Sequence, residues 1–385
     1  MKYDFAVIGA NGMQGKIASR DLLERGYSVL LCALDIFGIE NLLASHQGKA
    51  AYARIDLRDI RTLRDTLIAS PAETIVNCAM DDYNIDVTRL ALELGMNYLD
   101  LDAMIPMMEE QEKLHSEFER KGIIAILGCG STPGINNVMV SHVAPRFDTI
   151  HTVDLGFAWN SNMEVFIPPF SIDAIMYEFA EPAFIYRNGE YVKVFPTDPT
   201  GIEHEYMGIG KQATRYTEHT EHHSIVNFLK DKGIKNVAVY SSFPDHSHQV
   251  ISTLLDTGFL SKEHITVDGQ KVRPLEAAIE ILRRRPMPKG YTEKENLWVK
   301  VYGQKDGKEH VEEMDCMAYT IPGWEDATCN VDTGFPISIG AQMIKNKEID
   351  STGVFSPEAI IPPEPFFKHL GDHQLEIYDN GKRIN

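Results

Sequence analysis

Short apolar runs alternate with helical patterns in the first part of the chain. The run YDFAVIG precedes a stretch in which Ile17, Leu22 and Leu23 fall on one helical face. SVLLCALD is apolar at consecutive positions, as expected of a strand buried on both faces. The alternation predicts a Rossmann-type, doubly wound parallel α/β sheet. The remaining runs are AAYARID, ETIVNCA, MNYLDL and GIIAIL, separated by helical patterns over 60–69, 83–94 and 107–121.

A second pattern begins after about residue 145, where half-alternating runs replace the strand–helix rhythm. The dipeptides Asn188-Gly189 and Asp306-Gly307 each separate two strand-like runs. Both dipeptides favour the type I′ turns of β-hairpins. The region therefore predicts an α+β domain with an antiparallel sheet. Its helical patterns cover 171–179, 246–256 and 274–284.

These patterns divide the chain into three parts. Residues 1–145 form the predicted Rossmann domain and residues 146–336 the predicted substrate domain, in keeping with a length of 385 residues. A helical pattern returns near 337–346, ahead of the tail PPEPFFKHL. We expect residues 337–385 to pack back on the first domain.

Three glycines follow the first apolar run in VIGANGMQGKIASRDLLERG. Gly9, Gly12 and Gly15 are spaced by three residues, and Asn11 and Met13 stand in the same turn. A pyrophosphate binds at a helix N-terminus, where free N–H groups and the helix dipole favour an anion, and side chains at the turn would hold it away. The strand–glycine–helix context predicts a dinucleotide site. A glycine turn without a ligand remains the alternative.

Asp35 ends the second apolar run, twenty residues after Gly15. An acid at this position hydrogen-bonds the adenosine ribose diol and repels a 2′-phosphate. No arginine or lysine flanks it in the sequence, so we expect NAD, with NADP less favoured. The alternative is an ordinary turn residue at a strand end.

Two more loops lie at the predicted cofactor edge of the sheet. VNCAMDDYN offers Asn77, Ala79 and Met80 to the nicotinamide ribose and phosphates, unless it is a polar turn that caps the next helix. GCGSTPGINN (128–137) offers Cys129 and Gly130 and opens a helix. Its N–H groups could contact a substrate carboxylate or the nicotinamide, although a plain interdomain hinge is equally consistent.

Composition limits the partners of the chain. Lys and Arg number 37 and Asp and Glu 56, which gives a net charge of −19 and argues against nucleic acid or an anionic membrane as partner. The five cysteines form no CxxC pair, no leader-like segment opens the chain, and no apolar window reaches roughly 20 residues. We therefore expect a cytoplasmic protein that acts on a small molecule.

The same stretches resemble the saccharopine dehydrogenase superfamily. VIGANGMQGKIASRDLLERG is similar to its first βα unit, VNCAMDDYNIDVTRLALELGMNYLDLD to its fourth strand and next helix, and GCGSTPGINNVM to its G-x-x-PG-x-x-N/D loop. Lysine 6-dehydrogenases are the most similar branch. The resemblance implies a substrate domain inserted before a returning C-terminal segment, NAD-dependent oxidation at a C–N bond, and a homodimer or homotetramer. The histidine-rich RYTEHTEHHSIVNF and the SFPDHSH stretch depart from that branch and leave lysine itself open.

Amine oxidation through an imine needs a base, an anchor for a carboxylate and a dry nicotinamide face. Hydride transfer to NAD needs no metal, so no metal ligands are predicted. Arg215 and the N–H groups of the second glycine loop are the candidate carboxylate anchors. The candidate bases are Asp102, His222, His223 and His246.

The sequence supports three functional hypotheses. The first is an NAD-dependent dehydrogenase that oxidises the CH–NH₂ or CH–NH group of a lysine-like amino acid or a polyamine-like substrate. The second keeps the fold but forms a secondary-amine adduct, of the opine, saccharopine or carboxyspermidine type. The third is a non-catalytic NAD-binding regulator.

Overall fold

The described residues of the first third of the chain contain six strands and six helices. The six strands follow the sequence pattern, but the short helix over Glu40–Ser45 is not predicted. The computed structural model describes residues 2–101, 104–195 and 197–385. The predicted helix over 107–121 is divided in two, because the Leu114 N–H bonds the Gln111 carbonyl three residues back and tightens the turn. The strands are β1 Tyr3–Ile8, β2 Val29–Ala33, β3 Ala50–Arg54, β4 Ala72–Asn77, β5 Asn97–Asp100 and β6 Ile124–Ile126. The helices are α1 Met13–Glu24, α2 Glu40–Ser45, α3 Ile60–Ala69, α4 Asn84–Leu94, α5 Ile105–Glu112 and α6 His115–Lys121.

The middle of the chain is rich in strands. Its helices are α7 Ile135–Val143, α8 Ile172–Ala180, α9 Glu221–Phe228, α10 Asp245–Asp256 and α11 Pro274–Arg283. Its strands are β7 Thr149–Ser161, β8 Ala183–Arg187, β9 Glu190–Val194, β10 Glu205–Tyr206, β11 Gly210–Lys211, β12 Thr214–Tyr216, β13 Asn236–Ser242, β14 Ile265–Val267, β15 Gln270–Val272, β16 Glu293–Lys305 and β17 Lys308–Tyr319. The last part contains α12 Val331–Lys345, β18 Gly353–Phe355, α13 Pro357–Ile360, α14 Pro363–Asp372, β19 Glu376–Asp379 and β20 Lys382–Arg383. No helix in the described parts of the chain is long and apolar enough to cross a membrane.

The first sheet is parallel and has seven strands in the order β18-β6-β5-β4-β1-β2-β3. The strand order reverses between β1 and β4, since β2 and β3 lie on one side of β1 and β4 lies on the other; the first glycine loop leaves the sheet at this point. Ligands of open α/β sheets bind at such a switch point, beyond the carboxyl ends of the strands. The predicted doubly wound sheet is confirmed.

The second sheet has nine strands, ordered β20-β19-β17-β16-β7-β13-β8-β9, with β12 beside β13. Both predicted hairpins are present, and Asn188 and Asp306 adopt the positive φ that their turns require. The sheet is mixed rather than wholly antiparallel, because β7 and β13 run parallel across a long connection that contains α8 and α9.

Alternate residues of β16 face opposite sides of this second sheet. Leu297 and Val299 pack in the main core that it shares with the helices, whereas Trp298 packs in a separate cluster on the far side. We call these the inner and outer faces. Glu295 belongs to the inner face and Asn296 to the outer face by the same alternation.

The C-terminal part connects both sheets. Helix α12 begins at Val331, earlier than predicted, and packs on α1. A side chain at Gly334 would overlap Ile17, so this glycine permits the close contact with α1. A side chain at Gly340 would lie 2.9 Å from the Cys129 sulfur, so this glycine permits the close approach to the 128–137 loop. Strand β18 joins the first sheet, but β19 and β20 extend the second sheet.

Asp21 of α1 is buried where this returning segment contacts the first domain. Its carboxylate accepts hydrogen bonds from Ser338 Oγ at 2.5 Å and Gln342 Nε2 at 3.0 Å, and it contacts His373 Nε2 at 2.9 Å. Burial alone would raise the pKa of Asp21, but His373 and Ser338 lower it overall. The carboxylate therefore stabilises the fold above the usual pKa of Asp, about 3.9, and this contribution is lost as the pH falls below it.

Asp21→Ala should lower the free energy of unfolding by about 3 kcal/mol at neutral pH, because it leaves buried donors unpaired. Denaturant titration measures the change. Asp65→Ala on α3, whose side chain is 77% exposed, is the control and should have little effect. Equal unfolding midpoints for Asp21→Ala and wild type would contradict the structural role of this carboxylate.

Candidate active site

The first glycine loop leaves β1 and opens directly into α1. Gly9 has a φ of +75°, and a Cβ there would lie 2.9 Å from the Cys78 carbonyl oxygen. A Cβ at Gly15 would overlap the Gly9 carbonyl group. Gly12 is the N-cap of α1 and has no side chain to bond the first-turn N–H groups, and Met13 is half-exposed beside it. This cradle fits the pyrophosphate of a dinucleotide.

Asp35 stands exposed at the carboxyl end of β2, next to the glycine loop. Its Oδ1 accepts hydrogen bonds from Asn11 Nδ2 at 3.1 Å and from the Phe37 N–H at 2.9 Å. The fold also brings Lys16 against Gly38 of the same turn. Asp35, which the sequence predicts to bind the ribose, is thus hydrogen-bonded to the first glycine loop through Asn11. The ammonium of Lys16, which is distant from Asp35 in sequence, lies near the same turn.

The VNCAMDDYN segment supplies one buried and two accessible residues at the cofactor edge. Asn77 donates to Asn84 Oδ1 at 2.8 Å and to the Tyr98 hydroxyl at 3.1 Å, so its side chain braces the loop from within. Ala79 lines the cleft described below, and Met80 is 68% exposed. The Asn77 amide is therefore enclosed within the protein, while Ala79 and Met80 remain accessible at this edge.

The second glycine loop is held by Asp100 at the end of β5. Asp100 accepts hydrogen bonds from the Gly128 N–H at 2.7 Å, from Gln111 at 2.8 Å and from the Tyr98 hydroxyl at 3.0 Å. Burial raises the pKa of Asp100 to about 6. Gly130 lines the cleft, whereas the Cys129 thiol is buried, and burial raises its pKa. Cys129 therefore packs the loop on α12.

A cavity of about 380 Å³ lies between the two glycine loops and the inner face of the second sheet. We call it the cleft. Segments from both domains line the cleft. Among the described residues of this lining, His219 can carry a positive charge. The lining contains four carboxylates, Asp81, Glu178, Glu295 and Asp332, with Gln14, Ala79, Leu101, Gly130, Ser131, Thr132, Phe157, Pro169, Phe170, Ser171, Ala174, His219, Asn330 and Thr333.

Glu295 of β16 and Asp332 of α12 form a carboxyl pair on one wall of the cleft. Burial raises the pKa of Glu295 well above its usual range, and the nearby charge of Asp332 adds to this shift. Burial also raises the pKa of Asp332, to about 7. Two close carboxylates cannot both ionise cheaply, so the pair holds a proton near neutral pH. One member can then donate a proton while the other accepts one.

The position of Asp332 is fixed by its neighbours. Thr333 Oγ1 donates to Asp332 Oδ1 at 3.2 Å and lies 2.8 Å from Ser131 Oγ of the second glycine loop. Gln14 of α1 donates to Asn330 Oδ1 at 3.0 Å, just before α12. Asp332 is therefore linked through Thr333 to the second glycine loop, and the residues just before α12 are linked to the first turn of α1.

His219 and Glu178 lie on another wall. His219 Nε2 is 3.8 Å from Glu178 Oε1, and its Nδ1 is 3.4 Å from the fully buried Glu221. Burial alone would lower the pKa of His219, but Glu221 and Glu178 raise it well above its usual range. Thr217 Oγ1 donates to Glu178 at 2.9 Å. Glu178 is therefore oriented by a hydroxyl and by a cationic imidazole.

The structure places the sequence-predicted histidines away from the cleft lining. His222 is fully buried, and burial lowers its pKa to about 4. His223 is 3.5 Å from Glu112 of α5, a contact between the domains. His246 lines a separate hollow at the start of α10.

Arg215, another predicted catalytic residue, is also absent from the described lining of the cleft. Arg215 lies behind Glu178 on β12, with its Nε 2.8 Å from His248 Nε2. Asp102 falls outside the described residues. Sequence reasoning missed Glu178, Glu295 and Asp332, since each looks like an ordinary polar residue of a helix or strand. His219 belongs to the histidine cluster that the sequence shows, but nothing in the sequence distinguishes it from His222 and His223.

The chain is similar to known proteins over most of its length. The chain is 25% identical over 351 residues to carboxynorspermidine synthase of Vibrio alginolyticus, covering 86% of this chain and 83% of that protein. It is 22% identical over 395 residues to carboxyaminopropylagmatine dehydrogenase of a Synechocystis species, covering 97% and 96%.

Two solved structures share the fold over nearly their full length. Saccharopine dehydrogenase (L-Glu forming) of Saccharomyces cerevisiae has a TM-score of 0.74 at 12% identity, covering 98% of this chain and 99% of that one. Homospermidine synthase of Legionella pneumophila, solved with NAD, has a TM-score of 0.71 at 10% identity, covering 99% and 92%.

Family models identify both domains. Residues 5–126 match the saccharopine dehydrogenase NADP binding domain, and residues 130–375 match the saccharopine dehydrogenase C-terminal domain. The glycine cradle fits that cofactor class. The chain therefore belongs to the saccharopine dehydrogenase family of NAD(P)-dependent oxidoreductases that act on C–N bonds.

Proposed function

We propose that the protein reductively joins the primary amine of a diamine or polyamine to the carbonyl carbon of a carboxylate-bearing substrate, giving a secondary amine. The observation that carries this proposal is the charge of the cleft, in which four carboxylates face one histidine. Such a cavity favours a substrate with more than one ammonium group. The names of the relatives, carboxynorspermidine synthase and carboxyaminopropylagmatine dehydrogenase, denote carboxylated polyamine products or substrates of those proteins.

The reaction has two stages with defined proton transfers. The amine adds to the carbonyl carbon and water leaves, which gives an imine. Reduction of the imine carbon by hydride, with a proton to nitrogen, gives the secondary amine. A nicotinamide bound at the first glycine loop supplies the hydride, or accepts it when the reaction runs in reverse.

The carboxyl pair suits both proton transfers of the first stage. The ionised member of Glu295 and Asp332 takes a proton from the substrate ammonium, which frees the nitrogen lone pair for attack. The protonated member donates to the carbonyl oxygen as it leaves in water. Both functions need a pKa close to the working pH, which the burial and mutual repulsion of the two groups supply.

Other groups of the cleft orient the two substrates. Glu178, oriented by Thr217 and His219, suits the ammonium at the far end of a diamine. The second glycine loop, with Ser131 and Thr132 at the start of α7, suits a carboxylate. For the cofactor, Asp35 favours NAD over NADP, as the sequence predicts.

A substrate panel tests the proposed reaction. Oxidation of NADH and of NADPH is followed with 1,3-diaminopropane, putrescine or agmatine, each combined with aldehydes or keto acids that carry a carboxylate. We expect turnover only when both an amine and a carbonyl compound are present, with a secondary amine found by mass spectrometry. Reduction of NAD by lysine alone, with release of ammonia and no turnover of any pair, would instead establish the amino-acid dehydrogenase.

Glu178→Gln tests the role of the cleft charge. Removing this carboxylate should raise the KM for the diamine about tenfold or more with a small change in kcat, because a charged hydrogen bond is worth about 1.5–3 kcal/mol. A monoamine of the same length should show no such change. Glu181→Gln, whose side chain is 50% exposed three residues later, is the matched control. An unchanged KM in Glu178→Gln would remove Glu178 from the substrate site.

Asp332→Asn tests the carboxyl pair. In wild type, kcat/KM should rise as the pH passes through about 7, where Asp332 loses its proton. The variant lacks the group that loses its proton there, so the limb at about 7 should be lost while kcat falls about 100-fold. Asp326→Asn in an exposed turn is the control. A pH profile of unchanged shape would refute the assignment of Asp332.

A further inference from the structure

A separate group of ligand-type side chains lies on the outer face of the second sheet. Glu313 and Asp315 alternate with inner-face residues of β17, and His204 is brought to them by the segment that precedes β10. Glu295, on the neighbouring strand, faces the cleft on the opposite side of the sheet. The group therefore takes no part in the cleft.

The ligand atoms of His204, Glu313 and Asp315 lie close together, although no hydrogen bond joins these three side chains. His204 Nε2 lies 3.9 Å from Glu313 Oε1, and one ligand atom each from His204, Glu313 and Asp315 lie within 4.8 Å of one another. The His204 side chain is 6% exposed, and its Nε2 is buried without a hydrogen-bond partner. A buried, unpartnered nitrogen that points at two carboxylates indicates a missing positive ligand.

The surroundings hold these side chains in place. The His204 ring stacks on Trp298 at 4.3 Å with 21° between the planes, and Tyr206 meets it edge-on at 4.8 Å. Asn296 Nδ2 donates to Asp315 Oδ1 at 3.0 Å, while Asn296 Oδ1 accepts the Met207 N–H at 3.0 Å. One amide thus orients a carboxylate and also anchors the chain next to His204, as outer partners of metal ligands do.

We propose that His204, Glu313 and Asp315 bind a divalent transition-metal ion of the zinc type. One imidazole nitrogen and two carboxylate oxygens form a mixed N/O donor set that suits Zn²⁺, with water completing a four-coordinate site. Tetrahedral bonds of about 2.0–2.2 Å need ligand atoms roughly 3.3–3.6 Å apart, so the present ligand atoms, which lie within 4.8 Å of one another, would move closer together when the ion binds.

Lys300 is the cation that already contacts this group. Its Nζ lies 3.3 Å from Glu313 Oε2, whereas His204 faces Oε1 of the same carboxylate. The lysine side chain is 30% exposed and can move toward water when a metal ion binds. The ion would cross-link the segment that carries His204 to β17, and its function is structural.

Zinc titration of the full chain tests the site. After treatment with a chelator, ZnCl₂ binding is measured by calorimetry and by elemental analysis, and the visible spectrum of the Co²⁺ form reports its ligands. We expect one ion per chain, a zinc-dependent rise in Tm, and zinc-dependent protection of residues 197–209 from proteolysis. The binding is independent of the proposed reaction, so loss of zinc should leave turnover in place.

Two variants and a control decide the assignment. His204→Ala should weaken zinc binding by about 100-fold or more. Mutation of a residue that only hydrogen-bonds a metal ligand already lowers metal affinity about 10–100-fold, and His204 is itself a proposed ligand. Asp315→Asn keeps the size of the side chain and an oxygen that accepts the hydrogen bond from Asn296. Its zinc affinity, compared with that of wild type, tests the site if His204→Ala does not fold. His264→Ala, on the exposed surface, should bind zinc as wild type does. No binding in wild type, or equal affinity in wild type and Asp315→Asn, would overturn the proposal.

Discussion

The close contact of α12 with α1 is the constraint on which the site depends. It requires glycine at 334, where Ile17 leaves no room for a side chain. Because the contact is tight, the first turn of α12 reaches the space between the two glycine loops. Asp332 is thereby placed opposite Glu295, although the two residues belong to different elements. A helix that returns from the C-terminal part thus completes a cleft begun by the N-terminal loop.

Burial of carboxylates at the cleft has a cost in stability and underlies the proposed proton transfers. Burial raises the pKa of Asp100, Glu293, Glu295 and Asp332 together, which means that their ionised forms are disfavoured in the folded protein. Two of these carboxyl groups accept several hydrogen bonds within the protein. Asp100 accepts from the Gly128 N–H and so positions the second glycine loop, and Glu293 accepts from the Tyr291 hydroxyl and from the Cys329 N–H. The other two face the cleft, where a substrate ammonium can compensate them.

The two faces of the second sheet carry different groups of side chains because side chains alternate along each strand. Along β16, Glu295 points to the cleft while Asn296 and Trp298 support the outer cluster with His204. A single strand thus connects the cleft with the proposed metal site. Changes on one face leave the other largely independent, provided that the register with β7 and β17 is retained.

The sequence by itself determined the local features of this protein. The glycine spacing, the acid after β2, the strand–helix alternation and both hairpins depend on neighbouring residues, so the pattern predicted them. The cleft residues could not be predicted in the same way, because Glu178, His219, Glu295 and Asp332 are separated by long stretches of chain. Only the tertiary structure decided that they meet, that His222 is buried instead, and that Lys16 lies near the turn of Asp35. The physical reason is that pKa and substrate charge depend on burial and on distances between groups, which only the packed fold sets.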